Sequence, residues 1–553
     1  MPPRLESIDL TIPRGTAEGR TLAHRCGRLL PRFVAKLDEL AGLLESHAWA
    51  LFPLILALYV FVVKRERLKP LWHDELYTYY IAQAPTFGRM IHWTRTLDLN
   101  PPLYYIFARA IFHVVPPDQF SVRLPSMIGY LTALLCVFLF VRRLATPLHG
   151  YVAALILLGS SFTSYSFEAR PYALVFGFLG IAAIGWQTAI EERPRRRWLA
   201  LSLLVIGAFG MLLSHVLALI AYGAFFFAEF VRFAIRRKAD WILWAAMGLP
   251  LISYLTYRPL MQNHSSSSFP VLFQASAVKL VDAYSVLWMD IAPLLALSML
   301  LAVWLGACAP QEARANGPSF PAPELALAVG LLFVPLIVTL LFMRSHSAYF
   351  PRYGMVALFG VAILVPCFVA WWKRNSPRVA LIFAFIFMFG VVSPNWFAVA
   401  TEKYIYPGKH RLQAATAFTH KPYSQVEPQL PFVDASGLTF LEMNDREDPA
   451  FLSRVYYLTD EQAAIQYAHA TIFEGFTNLK HEFPIHDNVT PYPQFLRQHD
   501  RFLVFGTYAY AEDWLLRKLL ADGATLKFLG DFSSSYGSHE LYEVTLPHRT
   551  EKQ

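Results

Sequence analysis

Charge is scarce in this chain of 553 residues. Asp, Glu, Lys and Arg make up 16% of it, against 55% hydrophobic and 15% aromatic residues. So little charge, with a mean hydropathy of +0.37, excludes an ordinary soluble enzyme and points to a membrane protein. Cysteine is nearly absent: Cys136, Cys308 and Cys367 lie in apolar runs and Cys26 in the N-terminal tail. Their spacing gives no disulfide framework and no metal knuckle. The polar C-terminal part lacks a GxGxxG or P-loop, so nucleotide binding has no support there. An internal repeat of the kind expected in many transporters is missing. The first 47 residues hold seven Lys/Arg and no early apolar stretch, which excludes a cleavable signal peptide. The net charge is +8, but the basic residues sit in short clusters between apolar runs, so nucleic acid is not the expected partner.

What is there is a series of apolar runs. A spanning helix needs roughly 20 mostly apolar residues, and eleven runs come close: about 48–63, 124–141, 149–165, 172–190, 198–213, 216–231, 241–258, 286–308, 323–343, 353–372 and 379–399. A shorter run, "PPLYYIFARAIFHVV" at 101–115, carries Arg109 and His113 and reads as a helix lying in the interface. With eleven spans and a cytoplasmic N-terminus, the inner loops collect Arg142–Arg143, "RPRRR", "RFAIRRK", Arg314 and "KRNSPR", as the positive-inside rule requires. The expected fold is a polytopic α-helical membrane protein of about 11 spans plus interfacial helices. It divides into an N-terminal tail (1–47), a multi-span domain (48–400) and an extracytoplasmic domain (401–553). In the last, β-like runs such as "RVYYLTD" and "ELYEVTL" alternate with helical stretches such as "AEDWLLRKLLADG", the pattern of a soluble α/β domain.

This threading sends the unusual polar residues to one side. Asp74 and Glu75 follow the first span, Asp98 and Asn100 precede the interfacial helix, and Arg123 opens the second span. Glu168 and Arg170 sit between the third and fourth spans, His215 between the fifth and sixth, and His346, Arg352 and Tyr353 between the ninth and tenth. The segment 64–123 also holds eight Lys/Arg on the outer side, a departure from the charge rule that suits an anion site.

Each group has two readings. Adjacent carboxylates repel, and burial raises the pKa of at least one. Asp74–Glu75 therefore suits a proton acceptor, a divalent-cation ligand or a solvated acidic turn. Asn100 suits ligand binding or helix capping. Arg170 forks onto a phosphate or pairs with Glu168, and Arg352 binds an anion or snorkels to head groups. Together they suit a hydroxyl attacking a carbon that bears a phosphate leaving group. A carboxylate would be the base, and Arg and His would stabilise the departing phosphate.

The ordered motifs "WHDE", "LDLNPPLYY", "RLPS", "SFEARPYAL" and "PRY" resemble the GT-C membrane glycosyltransferases, over roughly residues 48–400. The branch is that of the protein O-mannosyltransferases and the lipid A aminoarabinose transferase. The resemblance implies a polyprenyl-phosphate-linked sugar as donor, transfer at the outer face of the cytoplasmic membrane, and inversion. It puts the catalytic base at Asp74, with Glu75 beside it and Asp98 at a second acidic position. It makes Arg170 and Arg352 candidates for the donor phosphate; the outer-side clustering adds Arg123 and His215 to them, with Asn100, Glu168, His346 and Tyr353 as the other pocket residues. The protein mannosyltransferases carry His before the double proline, where this chain has Asn100, and their β-trefoil has no counterpart in the tail. A lipid, a glycan and a protein all stand as acceptor classes. The competing readings are a transporter, which should place ionisable residues near the midplane of its spans, and a non-catalytic envelope scaffold.

Overall fold

The computed structural model describes residues 17–66, 69–98, 100–191, 194–255, 274–308, 320–345, 347, 349–400, 426–468, 479, 481–486, 488–508, 514–534 and 537–547. Six helices are long and apolar enough to cross a membrane, or nine if each of three bent pairs is one span. All eleven expected runs are at least partly helical. Two of them, Trp241–Ser253 and Ala357–Trp372, form helices shorter than a span, so length and composition give six to nine candidates where eleven were expected. The bends fall at Ser46–Ala48, Leu158–Ser161 and Met289–Ile291.

After helices α1 (Ala17–Ser46) and α2 (Leu51–Glu66) come three short ones: α3 (His73–Ala82), α4 (Phe87–Thr96) and α5 (Leu103–Phe112). The last is the expected interfacial helix. Its 10 residues rise only about 15 Å, half of a hydrocarbon core. The bundle then runs through α6 (Leu124–Leu144), α7 (Pro147–Leu158), α8 (Tyr172–Ile190), α9 (Pro194–Ser214), α10 (Ala218–Arg236) and α11 (Trp241–Gly248). It continues through α12 (Ala277–Met289), α13 (Ile291–Cys308), α14 (Ala322–Leu332), α15 (Val334–Ser345), α16 (Ala357–Trp372) and α17 (Pro377–Ala400).

One crossing fixes the site. A Cβ on Gly129 of α6 would lie 2.6 Å from the Ala173 carbonyl oxygen, and one on Gly177 of α8 would lie 2.5 Å from that of Gly129. Helices α6 and α8 therefore meet backbone to backbone, as small residues allow in membranes. Their first turns are held together as well. Ser126 Oγ donates to the carbonyls of Glu168 (2.6 Å) and Arg170 (2.9 Å). Arg123 and Arg170 are thereby brought to the same end of the bundle.

The C-terminal part is a six-stranded sheet of order β3-β2-β1-β4-β6-β5. Strands β1 (Phe432–Asp434), β2 (Val455–Thr459), β3 (Val489–Pro491) and β4 (Arg501–Gly506) are parallel; β5 (Thr525–Ser534) and β6 (Gly537–Thr545) run antiparallel. Four strands match expected runs. The short β1 and β3 were not foreseen, because three residues show no period. Strand alternation builds two cores. Leu503 and Phe505 join a core shared with α3, α4 and α5, through Leu76, Tyr80, Trp93 and Tyr104. Phe502 and Val504 face the other way, onto Trp514, Leu516 and Leu519. Helix α18 (Gly437–Arg446) fills the shared core with Phe440, Leu441 and Met443.

Candidate active site

Asp74 and Glu75 lie in the first turn of α3, where the helix dipole favours carboxylates. Adjacent helical residues diverge, and here they part completely. Glu75 is fully buried. Arg123 Nε donates to its Oε1 (2.6 Å) and Arg123 Nη2 to its Oε2 (2.5 Å), with the Ala169 N–H at 2.6 Å and the Trp72 N–H at 3.3 Å. The other donors of Arg123 reach the carbonyls of Lys69 and Pro70 at 2.5 and 3.0 Å. This corrects the expectation for both residues. Expected in the pocket as a second acid and a phosphate ligand, they are spent on each other and on the backbone.

Asp74 turns the other way. Its side chain stays 24% exposed, with Oδ2 at 4.0 Å from Arg170 Nε and 3.7 Å from Arg352 Nη2. Both separations exceed a charge-assisted hydrogen bond, so the carboxylate is held in a cationic field with its oxygens open. Burial pushes its pKa upward, but Arg170, Arg352 and His73 outweigh that and hold it below the usual carboxylate range.

Arg170 is anchored from beyond Asp74. Its Nη1 donates to Asp98 Oδ2 (2.9 Å) and Oδ1 (3.2 Å) and to the Asp74 carbonyl (3.1 Å). Asp98 also accepts from the Tyr105 hydroxyl. Burial raises the Asp98 pKa against the pull of Arg170 and Tyr105. Asn100 donates to the Asp98 carbonyl at 3.1 Å, shaping the turn rather than capping α5, whose N-cap is Pro102.

Arg352 lies over three rings, Phe350 at 4.5 Å and Tyr172 and Tyr353 at 5.9 Å each, a cation–π cradle. His215 sits beside Tyr172 and Tyr353, with ring centroids 5.2 and 6.3 Å away, and its Nδ1 accepts the Leu217 N–H at 3.1 Å. Arg352, Tyr172, Tyr353 and His215 line one small cavity. Glu168 faces Lys69 Nζ at 3.9 Å, and burial pushes its carboxyl up to about 7. His346 lies outside the described residues.

The structure thus brings Asp74, Asp98, Asn100, Glu168, Arg170, His215, Arg352 and Tyr353 to one end of the bundle. Sequence reading passed over Tyr105, Tyr172, Phe350 and His73, which complete the cluster. Tyr105 and Tyr172 stand inside quoted motifs, but aromatics are so common here that they carried no signal. The acids do not suit a divalent cation. Asp74 and Glu75 point apart, Glu75 has no coordination left to give, and no three His, Cys, Asp or Glu among the described residues form a metal-holding group. Beside the cluster an apolar groove of about 540 Å³ runs between α5, α6 and α8, past Phe107, Ile111, Leu124, Ile128, Leu174 and Ile181.

Comparison with known proteins adds the following. Residues 99–257 match the dolichyl-phosphate-mannose-protein mannosyltransferase family. No curated protein matches the chain in sequence. Among solved structures, ArnT from Cupriavidus metallidurans in the apo state is 12% identical, covering 90% of this chain and 98% of its own at a TM-score of 0.47. The same protein bound to undecaprenyl phosphate is 11% identical, covering 89% and 97%, TM-score 0.48. The oligosaccharyltransferase AglB from Archaeoglobus fulgidus, in complex with an inhibitory peptide and a dolichol-phosphate, is 12% identical, covering 90% and 74%, TM-score 0.36. The matched segment runs from the turn before α5 to the end of the α9–α11 bundle and contains Arg123, Glu168, Arg170 and His215.

Proposed function

We propose that the protein transfers a sugar from a polyprenyl-phosphate donor to a hydroxyl acceptor, with inversion, at the extracytoplasmic face of the bacterial inner membrane. One observation carries the reading: Asp74, an open carboxylate between the buried Arg170 and the half-buried Arg352, at the end of a membrane bundle. The acceptor oxygen attacks the anomeric carbon as its proton passes to Asp74. The carbon–oxygen bond to the phosphate breaks, and its electron pair leaves with polyprenyl phosphate. Arg352 and Arg170 meet the charge that grows on that phosphate, which is where preorganised cations act most strongly. A base must be ionised to accept a proton, and the arginines keep Asp74 so at neutral pH. Glu75 and Arg123 hold the α3 turn in place. The apolar groove next to the cluster suits a lipid chain, and the ionisable clusters lie at the ends of the spans rather than at their midplane, which favours an enzyme over a transporter.

The test is purified full-length protein incubated with a panel of polyprenyl-phosphate sugars and an envelope lipid extract. Consumption of one donor, with release of polyprenyl phosphate that stops in Asp74→Asn, supports the reading. No consumption of any donor by folded protein, or consumption unchanged in Asp74→Asn, overturns it. Impermeant cysteine labelling near Asp74 and near Tyr508 in intact cells tests the sidedness; reaction at only one of the two positions rejects it.

A further inference from the structure

The turn that carries Asp74 is gripped from two directions. From the bundle, Arg123 and the Ala169 N–H hold Glu75. From the C-terminal sheet region, Arg446 at the end of α18 donates to the carbonyl of Leu71, immediately before the Trp72 N-cap of α3. Arg446 is itself oriented by Glu442, a fully buried carboxylate 2.9 Å away on the preceding turn. The Leu438 backbone, at the start of the same helix, bonds to the His73 ring. Farther along, Phe483 packs its ring against Tyr77, Tyr80 and Trp93 at 5.5, 5.1 and 5.5 Å, while Glu482 accepts from Arg89 Nε and Trp93 Nε1.

The contacts from the C-terminal region land on α3, on the turn before it and on α4, and they come from residues more than 350 positions away in sequence. A small sheet attached only for partner binding has no need to bury an arginine–glutamate pair against the backbone of the turn that presents a base. We propose that Arg446, oriented by Glu442, is a positioning residue for Asp74, so that the C-terminal region is part of the catalytic apparatus and not an appended module. The inference rests on the reading of Asp74 as the base. Geometry of this kind matters because a misplacement of about 1 Å at a reacting group can lower a rate about 100-fold.

The test keeps the full chain. Removing Arg446 alone strands a buried carboxylate and risks unfolding. The informative variant is therefore the double change Arg446→Leu with Glu442→Leu, with Arg446→Lys as the conservative partner. With a donor identified as above, kcat should fall about ten- to a hundred-fold in the double variant, while KM for the donor and the melting temperature stay near those of the parent. Arg446→Lys should recover part of the loss. Placed on top of Asp74→Asn, the double change should cost nothing further, because the position it maintains is already empty of function. An unchanged kcat in the folded double variant overturns the proposal, as does a loss that simply multiplies with that of Asp74→Asn. If Asp74→Asn itself transfers normally, the reading of the base fails instead, and the two failures are told apart.

Discussion

Two buried charge clusters occupy opposite ends of the same bundle. At one end Arg232 of α10 is forked onto Glu229 at 2.8 and 2.7 Å and reaches Asp240 at 3.2 Å. Arg197 closes on Asp240 at 2.5 Å, and the Trp244 indole donates to Glu229 at 2.8 Å. At the other end Asp74 faces two arginines and touches neither closely. The residue types are the same and the degree of closure differs. A closed network has spent its hydrogen bonds on the protein and pins α9, α10 and α11 to each other. An open carboxylate in a cationic field keeps its oxygens for something else. Within the second cluster the same contrast repeats between neighbours, Glu75 closed and Asp74 open.

The sharpest way to break this comparison is to neutralise the open acid. Asp74→Asn keeps shape and removes the proton acceptor. Sugar transfer should fall about 10²- to 10⁴-fold, the usual worth of general-base help, while the protein stays folded and loses only the modest stability its favourable charge environment supplies. Transfer assays beside a thermal melt check both halves, and a protein that unfolds in Asp74→Asn would place Asp74 with the closed pairs.

Glu75→Gln should do the reverse in kind. It leaves the Arg123 charge buried without its counter-charge, which typically costs about 3–5 kcal/mol. A denaturant or thermal unfolding measurement should show it, and the closed Glu229→Gln at the far end should behave alike. Transfer per folded molecule should drop far less than in Asp74→Asn.

Glu168 tests the comparison through pH. Burial raises its folded pKa from 4.5 to about 7. The folded state therefore favours the protonated carboxyl. The stability this represents is complete below about pH 4.5 and is lost as pH rises through 7. The shift corresponds to stability on the order of 3 kcal/mol. Melting temperature should decline between about pH 5 and 8, and Glu168→Gln should flatten that part of the curve. An identical slope in the variant would remove Glu168 from the buried groups that matter.

Much of this was legible in the chain. The apolar runs gave the helices because hydropathy is local, and the threading they imply puts Asp74, Asp98, Arg170 and Arg352 on one side. Partnership was not legible. Nothing in "HDE" says that Asp74 stays open while Glu75 closes on a residue 48 positions away, because that depends on how α3 is rotated against α6. Arg446 was invisible for the same reason. Its contact with Leu71 spans 375 positions, and an Arg four residues after a Glu reads as an ordinary surface pair. Helix ends were not legible either: 241–258 and 353–372 are apolar enough to span, while the described helices there are Trp241–Ser253 and Ala357–Trp372.

Arg352→Ala carries the smallest expected effect and separates two roles. Losing a charge-assisted contact to a phosphate usually costs about 1.5–3 kcal/mol, or roughly ten- to a hundred-fold in affinity. Donor binding should weaken by that factor while the fold holds, because Arg352 makes ring contacts, a hydrogen bond to Tyr165 and one long ion pair rather than a closed network of charges. The variant should also move the pH dependence. Arg352 helps keep Asp74 ionised, so without it the Asp74 pKa rises and the acid limb of the transfer profile shifts to higher pH. Arg170→Ala should combine weaker binding with a stability loss, since it also strands Asp98, which it bonds at 2.9 Å. Equilibrium binding of a labelled polyprenyl phosphate, read beside the pH profile, distinguishes these outcomes. Unchanged donor affinity together with an unshifted acid limb would make Arg352 an arginine that packs on its rings, and the open end of the bundle would then rest on Arg170 alone.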